Sequence, residues 1–372
     1  MAPHRVLVLG AGYAGLGAAK LIARRSDAAV TIVNERTHFQ ERMRNHQVAA
    51  GRTPRARPLS DLVGRDRIDL VVDRVTGIDP VARQVELAGR AEPLGYDTLV
   101  YALGSHADLG AVPGAAEHAV PVATVEHADR VHDRARQASS IAVVGGGLTG
   151  IETVAELAEA HPGRTVHLVT RDAPGGMLDE RGRAHLARTF DRLGIEVRAG
   201  AAVSKVGPDG LLLDDGDQVD ADLVVWTTGF AVPPLAREAG LAVDERGRML
   251  VDATLRSTSH PEVYAVGDAA AARDERGEEL RMGCGPGGVA AAVGGLAVTD
   301  RLAGREPRPL RYHDAAWHVT LGRRDGIVQL GLDDGARVVT GRAAAAVKEQ
   351  VLRGAVWALR HPRVGVFAAS RY

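Results

Sequence analysis

Two short glycine runs, Gly10-Ala11-Gly12-Tyr13-Ala14-Gly15 and Gly145-Gly146-Gly147-Leu148-Thr149-Gly150, stand 135 residues apart in the chain. Both have the G-x-G-x-x-G spacing that brings backbone amides up to a pyrophosphate. The first glycine allows a tight turn, the second lets the ligand approach the main chain, and the third lets the next helix press on the preceding strand. Such runs are weak signals alone in a chain with 44 glycines, so the weight lies on their surroundings. Apolar strands over 5–9 and 141–144 precede them, and helical stretches over about 15–24 and 150–160 follow. Two such units predict two dinucleotides on one polypeptide.

Charged residues at fixed distances from these runs extend the chemistry. Twenty residues beyond Gly15 the strand Val30-Thr31-Ile32-Val33 runs into Asn34-Glu35, where a carboxylate accepts both hydroxyls of an adenosine ribose, so Glu35 is the expected ribose ligand. Setting 166–171 on 30–35 puts Arg171 where Glu35 stands. An arginine pairs with a ribose 2′-phosphate that an acid would repel, so the reading leans to NADPH over NADH. Farther along, Val263-Tyr264-Ala265-Val266-Gly267-Asp268 reads as a strand ending on a glycine and an acid at a strand-to-helix junction. The Asp268 carboxylate there suits a polyol hydroxyl, with the Gly267 backbone passing close by.

The elements that must position these groups can be read in outline. The strand segments 96–104 and 221–229 end on Gly104 and Gly229; they close each nucleotide unit and cross between the units. The fold expected is α/β, with two Rossmann-like dinucleotide-binding domains, the second inserted in the first, and a small C-terminal α+β tail. Its boundaries are 1–108 and 233–304 for the first domain, 109–232 for the second and 305–372 for the tail. A glycine- and alanine-rich helix starts near Pro286, and its small side chains suit contact with a flat ring or a neighbouring backbone. In the tail, Trp317 to Leu330 predicts a hairpin turned at Arg323-Arg324-Asp325-Gly326. The last helix has Val347, Val351, Ala355 and Leu359 on one side with Leu352 and Val356 beside them, and Lys348, Arg353 and Arg360 pointing elsewhere. Core or dimer packing of that helix is favoured over interfacial membrane contact, because Trp357 is its one bulky anchor.

Composition excludes several classes. With a formal net charge of −1 in 372 residues and 45% hydrophobic residues, the chain reads as an ordinary globular protein without a nucleic-acid surface. Lysine occurs only at Lys20, Lys205 and Lys348. The first strand begins by Arg5, which leaves no room for a signal peptide, and no apolar run could span a bilayer; a cytoplasmic address follows by default, with peripheral contact at the inner face of a membrane left open. The single cysteine, Cys284, excludes disulfide reduction and sulfide oxidation, which need more than one thiol, and zinc sites built on paired cysteines.

With both fingerprints, both strand-glycine segments and the Val-Gly-Asp segment in order, residues 5 to about 300 resemble a two-dinucleotide-binding-domain flavoprotein of the pyridine nucleotide-disulfide oxidoreductase superfamily, most closely the type II NADH dehydrogenase family. The resemblance implies non-covalent FAD on the first unit and NAD(P)H on the second. The cofactor set is then Gly10, Gly12, Tyr13, Ala14, Gly15, Glu35, Arg36, Arg42, Ala102, Gly104, Gly145, Gly147, Leu148, Thr149, Gly150, Arg171, Gly229, Gly267 and Asp268, and the catalytic candidates are Glu152 and Cys284. Glu152 matches a family glutamate close to the nicotinamide and flavin. Two segments depart from the family pattern. Residues 282–288 have no glutamine where members carry an Ala-Gln-x-Ala-x-Gln type quinone segment. The run 38–47 is polar where many have an apolar loop, with Arg42, Arg44 and His46 either orienting an anionic or phenolic substrate or lying solvated at the surface.

The expected activity is hydride transfer from NAD(P)H to FAD, then electron transfer to a quinone or another small organic acceptor. The rival readings are a soluble tailoring oxidoreductase of one small molecule and a slow-turnover redox-responsive binding protein. A homodimer is compatible with either.

Overall fold

The structure is a computed structural model that describes residues 2–64, 66–314, 316–331 and 336–361. Val6, Leu7, Val8 and Leu9 are all buried, and a strand apolar on both faces needs cover on both sides. Accordingly Arg5–Leu9 is the centre of a five-stranded parallel sheet. Ala29–Asn34 and then Ile68–Val72 lie on one side of it, and Thr98–Tyr101 and then Val263–Ala265 on the other. The second sheet repeats the plan around Ser140–Val144, with Thr165–Thr170 and Ile195–Ala199 on one side and Leu223–Trp226 and Ala119–Pro121 on the other.

Val263–Ala265 returns to the first sheet after the whole second sheet has been built. The outgoing strand His106–Ala107 and the returning strand Phe230–Ala231 pair with each other, antiparallel, so the two passages between sheets form one ribbon just beyond Gly104 and Gly229. The first fingerprint helix, Tyr13–Arg25, packs on the glycine-rich helix Cys284–Leu302. A Cβ placed on Gly295 would lie 3.2 Å from the Ala18 Cα, so small residues set that close approach.

The tail hairpin forms as expected from Ala316–Thr320 and Gly326–Leu330, and a third strand, Arg337–Thr340, joins it. Residues 362–372 of the expected tail lie outside the described residues. Two local expectations need correction. Asp268 sits in a short 3₁₀ turn, Gly267–Ala269, rather than at the start of a helix, because the chain re-enters extended structure at Ala270. In the last helix, Gly341–Arg360, the buried residues are Ala344, Lys348, Leu352, Val356 and Leu359, while Val347 is 44% exposed. Lys348 therefore points inward, and an ion partner deep in the molecule accounts for the reversal. The helix does pack on the body of the protein, against the hairpin strands. Among the described residues no helix is long and apolar enough to cross a membrane.

Candidate active site

The two fingerprints are geometric copies. Gly10 and Gly145 turn at φ +96° and +121°, in the region that favours glycine, and their N–H groups donate to Val33 O at 2.8 Å and Val169 O at 2.9 Å. A Cβ on Gly15 would fall 1.9 Å from the Gly10 oxygen, and one on Gly150 would fall 1.8 Å from the Gly145 oxygen. Gly12 and Gly147 face open space and start the helices Tyr13–Arg25 and Leu148–Ala160 without a side-chain cap. The unsatisfied amides and positive dipole ends of both helices are thus available to an anion. One continuous cavity of about 990 Å³ touches Gly10, Gly12, Gly147 and Thr149 alike.

Around the first fingerprint, Asn34 accepts from the Ala11 N–H at 2.9 Å and pins the turn. Glu35 lines the cavity, half-exposed, and pairs with Arg36, which also reaches Glu126 at 3.0 Å. The Asp268 carboxylate accepts from Ser105 Oγ at 2.6 Å and from the Gly283 N–H at 3.1 Å, and Arg42 stands 3.9 Å away while donating to the Ser105 carbonyl. Ala14 packs where a Gly267 Cβ would go, and Ala102 O presses on Gly10. Gly104, Gly229 and Leu148 also line the cavity; Cys284 lies exposed at its wall, at the first turn of the glycine-rich helix. Arg171 is largely exposed beside Asp172 at 3.6 Å and lies outside the cavity lining, as do Gly15, Gly145 and Gly150, whose task is packing.

Glu152 is the centre of a buried charged cluster. Its carboxylate takes Lys348 Nζ at 3.1 Å, the Thr320 N–H at 3.0 Å and the Thr320 hydroxyl at 3.1 Å, with His46 Nδ1 at 3.7 Å. Burial pushes the Glu152 carboxyl up, but Lys348, His46 and the Thr320 amide outweigh it and bring it down to about 2. Burial pushes His46 down to about 4 against the pull of Glu152, so its ring is neutral at neutral pH. Lys348 Nζ also donates to the His318 carbonyl at 3.2 Å, and burial and Lys348 together lower the His318 ring. Glu152, His46, His318 and Lys348 all line the cavity.

The 38–47 run divides: Arg42 and His46 line the cavity, whereas Arg44 is tied into ion pairs outside its lining. Arg44 is clamped between Glu41 at 3.1 Å and Glu349 at 2.8 Å, His46 is buried, and Arg42 is held by Ser105 and Asp268. Arg44 docks the last helix on the body through Glu349, and residues 45–47 are buried while His38 is exposed. Lys348, His318 and Thr320 were not read as site residues from the sequence. The sequence signal for Lys348 was its rarity, as one of three lysines in an arginine-rich chain; in the structure Lys20 and Lys348 are both buried in ion pairs. The same cavity is lined by Arg281, which forms a bidentate pair with Asp314 at 2.8 Å and stacks 4.3 Å from the Trp317 ring, with the Tyr312 hydroxyl donating to the same carboxylate. Among the described residues no group of three or more His, Cys, Asp or Glu side chains could hold a metal ion.

The family model described as pyridine nucleotide-disulphide oxidoreductase matches residues 4–293. An NADH dehydrogenase-like protein of Mycobacterium tuberculosis is 33% identical over 350 residues, covering 85% of this chain and 84% of its own length. The type II NADH:quinone oxidoreductase of the same organism is 28% identical, covering 88% and 80%. Among solved structures, NDH2 from Plasmodium falciparum superposes with a TM-score of 0.85 over 100% of this chain and 99% of its own, at 13% identity, which speaks to the fold.

Proposed function

The chain belongs to the pyridine nucleotide-disulphide oxidoreductase family, and from that premise we propose that it moves reducing equivalents from NAD(P)H through FAD to a quinone or a comparable small carbonyl acceptor. It is an NADH dehydrogenase-type oxidoreductase; the donor preference, the acceptor and the residue roles below are our reading. The observation that carries this reading is the single cavity shared by two fingerprints, with the Glu152–Lys348 pair buried in its wall.

The domain division proposed is 1–108 with 233–304 around FAD, 109–232 around NAD(P)H, and the tail from 305 onward. FAD, where bound, supplies the hydride-accepting ring that couples a two-electron donor to the acceptor. Gly10 and Gly12 are suited to its pyrophosphate, with Gly15 seating the helix behind them, Glu35 to its ribose and Asp268 to its polyol chain, because Asp268 is already positioned by Ser105 and the Gly283 N–H. The amino end of the glycine-rich helix, at Cys284, is aimed at the cavity and favours negative charge developing there. Cys284 has no second thiol to exchange with, so its part is steric. Gly145, Gly147 and Gly150 serve NAD(P)H, and the Arg171 guanidinium, exposed beside Asp172, can exchange that solvated contact for a 2′-phosphate, which supports NADPH acceptance.

Lys348, held by Glu152 and the His318 carbonyl, places an N–H donor beside the acceptor carbonyl and stabilises charge appearing on its oxygen. Leu330, Val339, Val347 and Trp357 are half-exposed on the tail sheet and helix and favour peripheral contact with a membrane holding such acceptors. The test is an anaerobic titration with NADH and with NADPH, followed by addition of a quinone. Bleaching of oxidised flavin and its recovery on quinone addition support the reading; no bleaching by either nucleotide refutes it. A soluble oxidoreductase of one specific small molecule is the second reading, favoured by the polar Arg281–Asp314–Tyr312 wall and the glutamine-free segment 282–288. Bleaching without reoxidation by any quinone would select it.

A further inference from the structure

The glycine-rich helix Cys284–Leu302 begins with almost no side chains of its own: Gly283, Gly285, Gly287 and Gly288 line the cavity there. Two groups from elsewhere take up the room. A Cβ on Gly283 would fall 2.5 Å from Arg281 Nη1, and one on Gly285 would fall 2.7 Å from the Tyr312 hydroxyl. Arg281 and Tyr312 line the same cavity, so they supply the polar surface that the start of the helix lacks.

Both groups are held in fixed directions. Arg281 Nε and Nη2 donate to the two Asp314 oxygens at 2.8 Å, and the guanidinium carbon stands 4.3 Å from the centre of the Trp317 ring. The Tyr312 hydroxyl donates at 2.5 Å to the Asp314 oxygen that Nη2 also uses, which sets hydroxyl and guanidinium side by side. Glu275 anchors the chain behind them, accepting from the Tyr312 N–H at 3.3 Å and standing 3.2 Å from His313 Nε2. Burial and Asp314 hold the Tyr312 phenol well above the usual tyrosine range, so its one hydrogen stays with that carboxylate. What the two groups have left over differs in kind. Nη1 has no hydrogen-bond acceptor among the described residues and keeps both hydrogens, while the Tyr312 oxygen, its hydrogen committed, can only accept.

We propose that Arg281 and Tyr312 select the acceptor, and that the cavity takes a quinone carrying a ring hydroxyl beside its carbonyl. Nη1 donates to the carbonyl oxygen and the ligand hydroxyl donates to the Tyr312 oxygen. The inference rests on the quinone-type acceptor reading above and narrows its chemical class. A quinone has two carbonyls, so the one bound here leaves the other to Lys348, in the same cavity. Asp314 cancels the guanidinium charge, and hydrogen-bond order rather than net charge therefore does the selecting. An ether or alkyl group in place of the hydroxyl leaves the Tyr312 oxygen facing an atom that cannot donate, and a desolvated acceptor left unpaired costs affinity. Neither residue exchanges electrons or a proton with the ligand; both hold it.

The experiment gives the flavin-loaded wild type, Tyr312→Phe and Arg281→Lys two acceptors, a naphthoquinone with a hydroxyl peri to its carbonyl and the methyl ether of that compound. The wild-type preference for the hydroxyl compound, as a ratio of kcat/KM values, exceeds that of Tyr312→Phe by about five- to tenfold and lies in KM. Any difference in reduction potential between the two compounds is common to both proteins and cancels. Titration of the oxidised proteins with each compound, followed by flavin absorbance, gives the same change as a ratio of Kd values. Arg281→Lys keeps a cation beside Asp314 but loses the rigid fork, and raises KM for both compounds by about tenfold. Anaerobic bleaching by NAD(P)H and reduction of ferricyanide, which has no carbonyl to bind, stay within about twofold in both variants. Equal preference in wild type and Tyr312→Phe overturns the proposal and leaves the quinone reading standing; an equal loss with ferricyanide also overturns it, by making the pair structural. A wild type that bleaches with nucleotide yet is reoxidised by neither compound removes the acceptor reading itself, and the selection falls with it.

Discussion

The helices that follow the two fingerprints begin alike and then diverge. Gly12 and Gly147 open them in the same way, and Gly15 and Gly150 seat them on their strands by contacts that differ by 0.1 Å. Beyond that turn, the first helix presents Gly17 and Ala18 to the glycine-rich helix, with a Gly17 Cβ position 3.7 Å from the Ala291 Cβ, and buries Leu21. The second presents Glu152, Glu156 and Glu159 to the 45–52 region and the tail hairpin. The first copy packs on the glycine-rich helix and turns Lys20 and Arg24 to Asp66, whereas the second carries acids at the three positions that match Gly17, Leu21 and Arg24. On the proposed function the acceptor chemistry lies on the second helix and the tail that covers it, while the glycine turn that opens each helix stays common to both.

The strongest way to break the common part is to fill it. Gly15→Ala and Gly150→Ala each drive a methyl into a backbone oxygen, at 1.9 and 1.8 Å, where no side-chain rotation brings relief. Both should cost more than about 4 kcal/mol, read as loss of cooperative unfolding or of soluble protein. Gly12→Ala and Gly147→Ala face open space and should keep the melting temperature; the first should lower flavin retention and the second raise the KM for nucleotide. Unequal unfolding of the first pair would mean that the two cradles are not equivalent.

The comparison sharpens at Lys348. Replacing it with Met leaves Glu152 buried with only Thr320 and the neutral His46 around it. Loss of one partner from such a pair should destabilise by about 3 kcal/mol in denaturant unfolding, and adding Glu152→Gln should recover much of that. No comparable pair exists at Gly17 on the first helix. If Lys348→Met melts like wild type, the Glu152 cluster is not what holds the last helix down.

Lys348 also marks the limit of what the sequence makes legible. The fingerprints, the two closing strands and the return strand to the first sheet are local patterns, set by glycine spacing and apolar runs, and they appear where the sequence puts them. Glu152 was readable through the family resemblance of the Gly-Ile-Glu run that closes the second fingerprint. Its partners were not, since they come from 46, 318, 320 and 348, and only the folded tail brings them together. Apolar periodicity assigns a lysine to the outside face by rule, and a buried ion pair inverts that rule. The strand Arg337–Thr340 was missed for a related reason: it is mostly exposed on the outside of the tail sheet and has no buried alternation to betray it.

A smaller effect is expected where the two second strands end. Arg171 and Glu35 occupy matched positions, so Arg171→Glu should make the second site resemble the first. On the NADPH reading, kcat/KM for NADPH should fall by about tenfold relative to NADH, about 1.4 kcal/mol of discrimination. An unchanged ratio would place the 2′-phosphate, or its absence, against another residue.

The smallest prediction sets two buried groups of the charged region against each other. The His46 ring is held at about 4, below its unfolded value, so the folded state binds fewer protons there; this share of stability is complete above about 6.5 and is lost as pH falls toward 4. Glu156 is raised to about 7, so the folded state binds more protons, and its share is present at low pH and lost as pH rises from about 4.5 through 7. The two slopes oppose over the same window, and wild type should show little net change. Taken singly they separate: from pH 7 to 5.5 the His46 term costs wild type about 1 kcal/mol, a loss that His46→Gln should escape and that should therefore appear as the change in the difference between the two proteins. Glu156→Gln should tilt the remaining curve the opposite way, toward steeper acid loss, because the opposing slope is gone. Parallel curves for all three proteins would mean that neither group is isolated from water in solution.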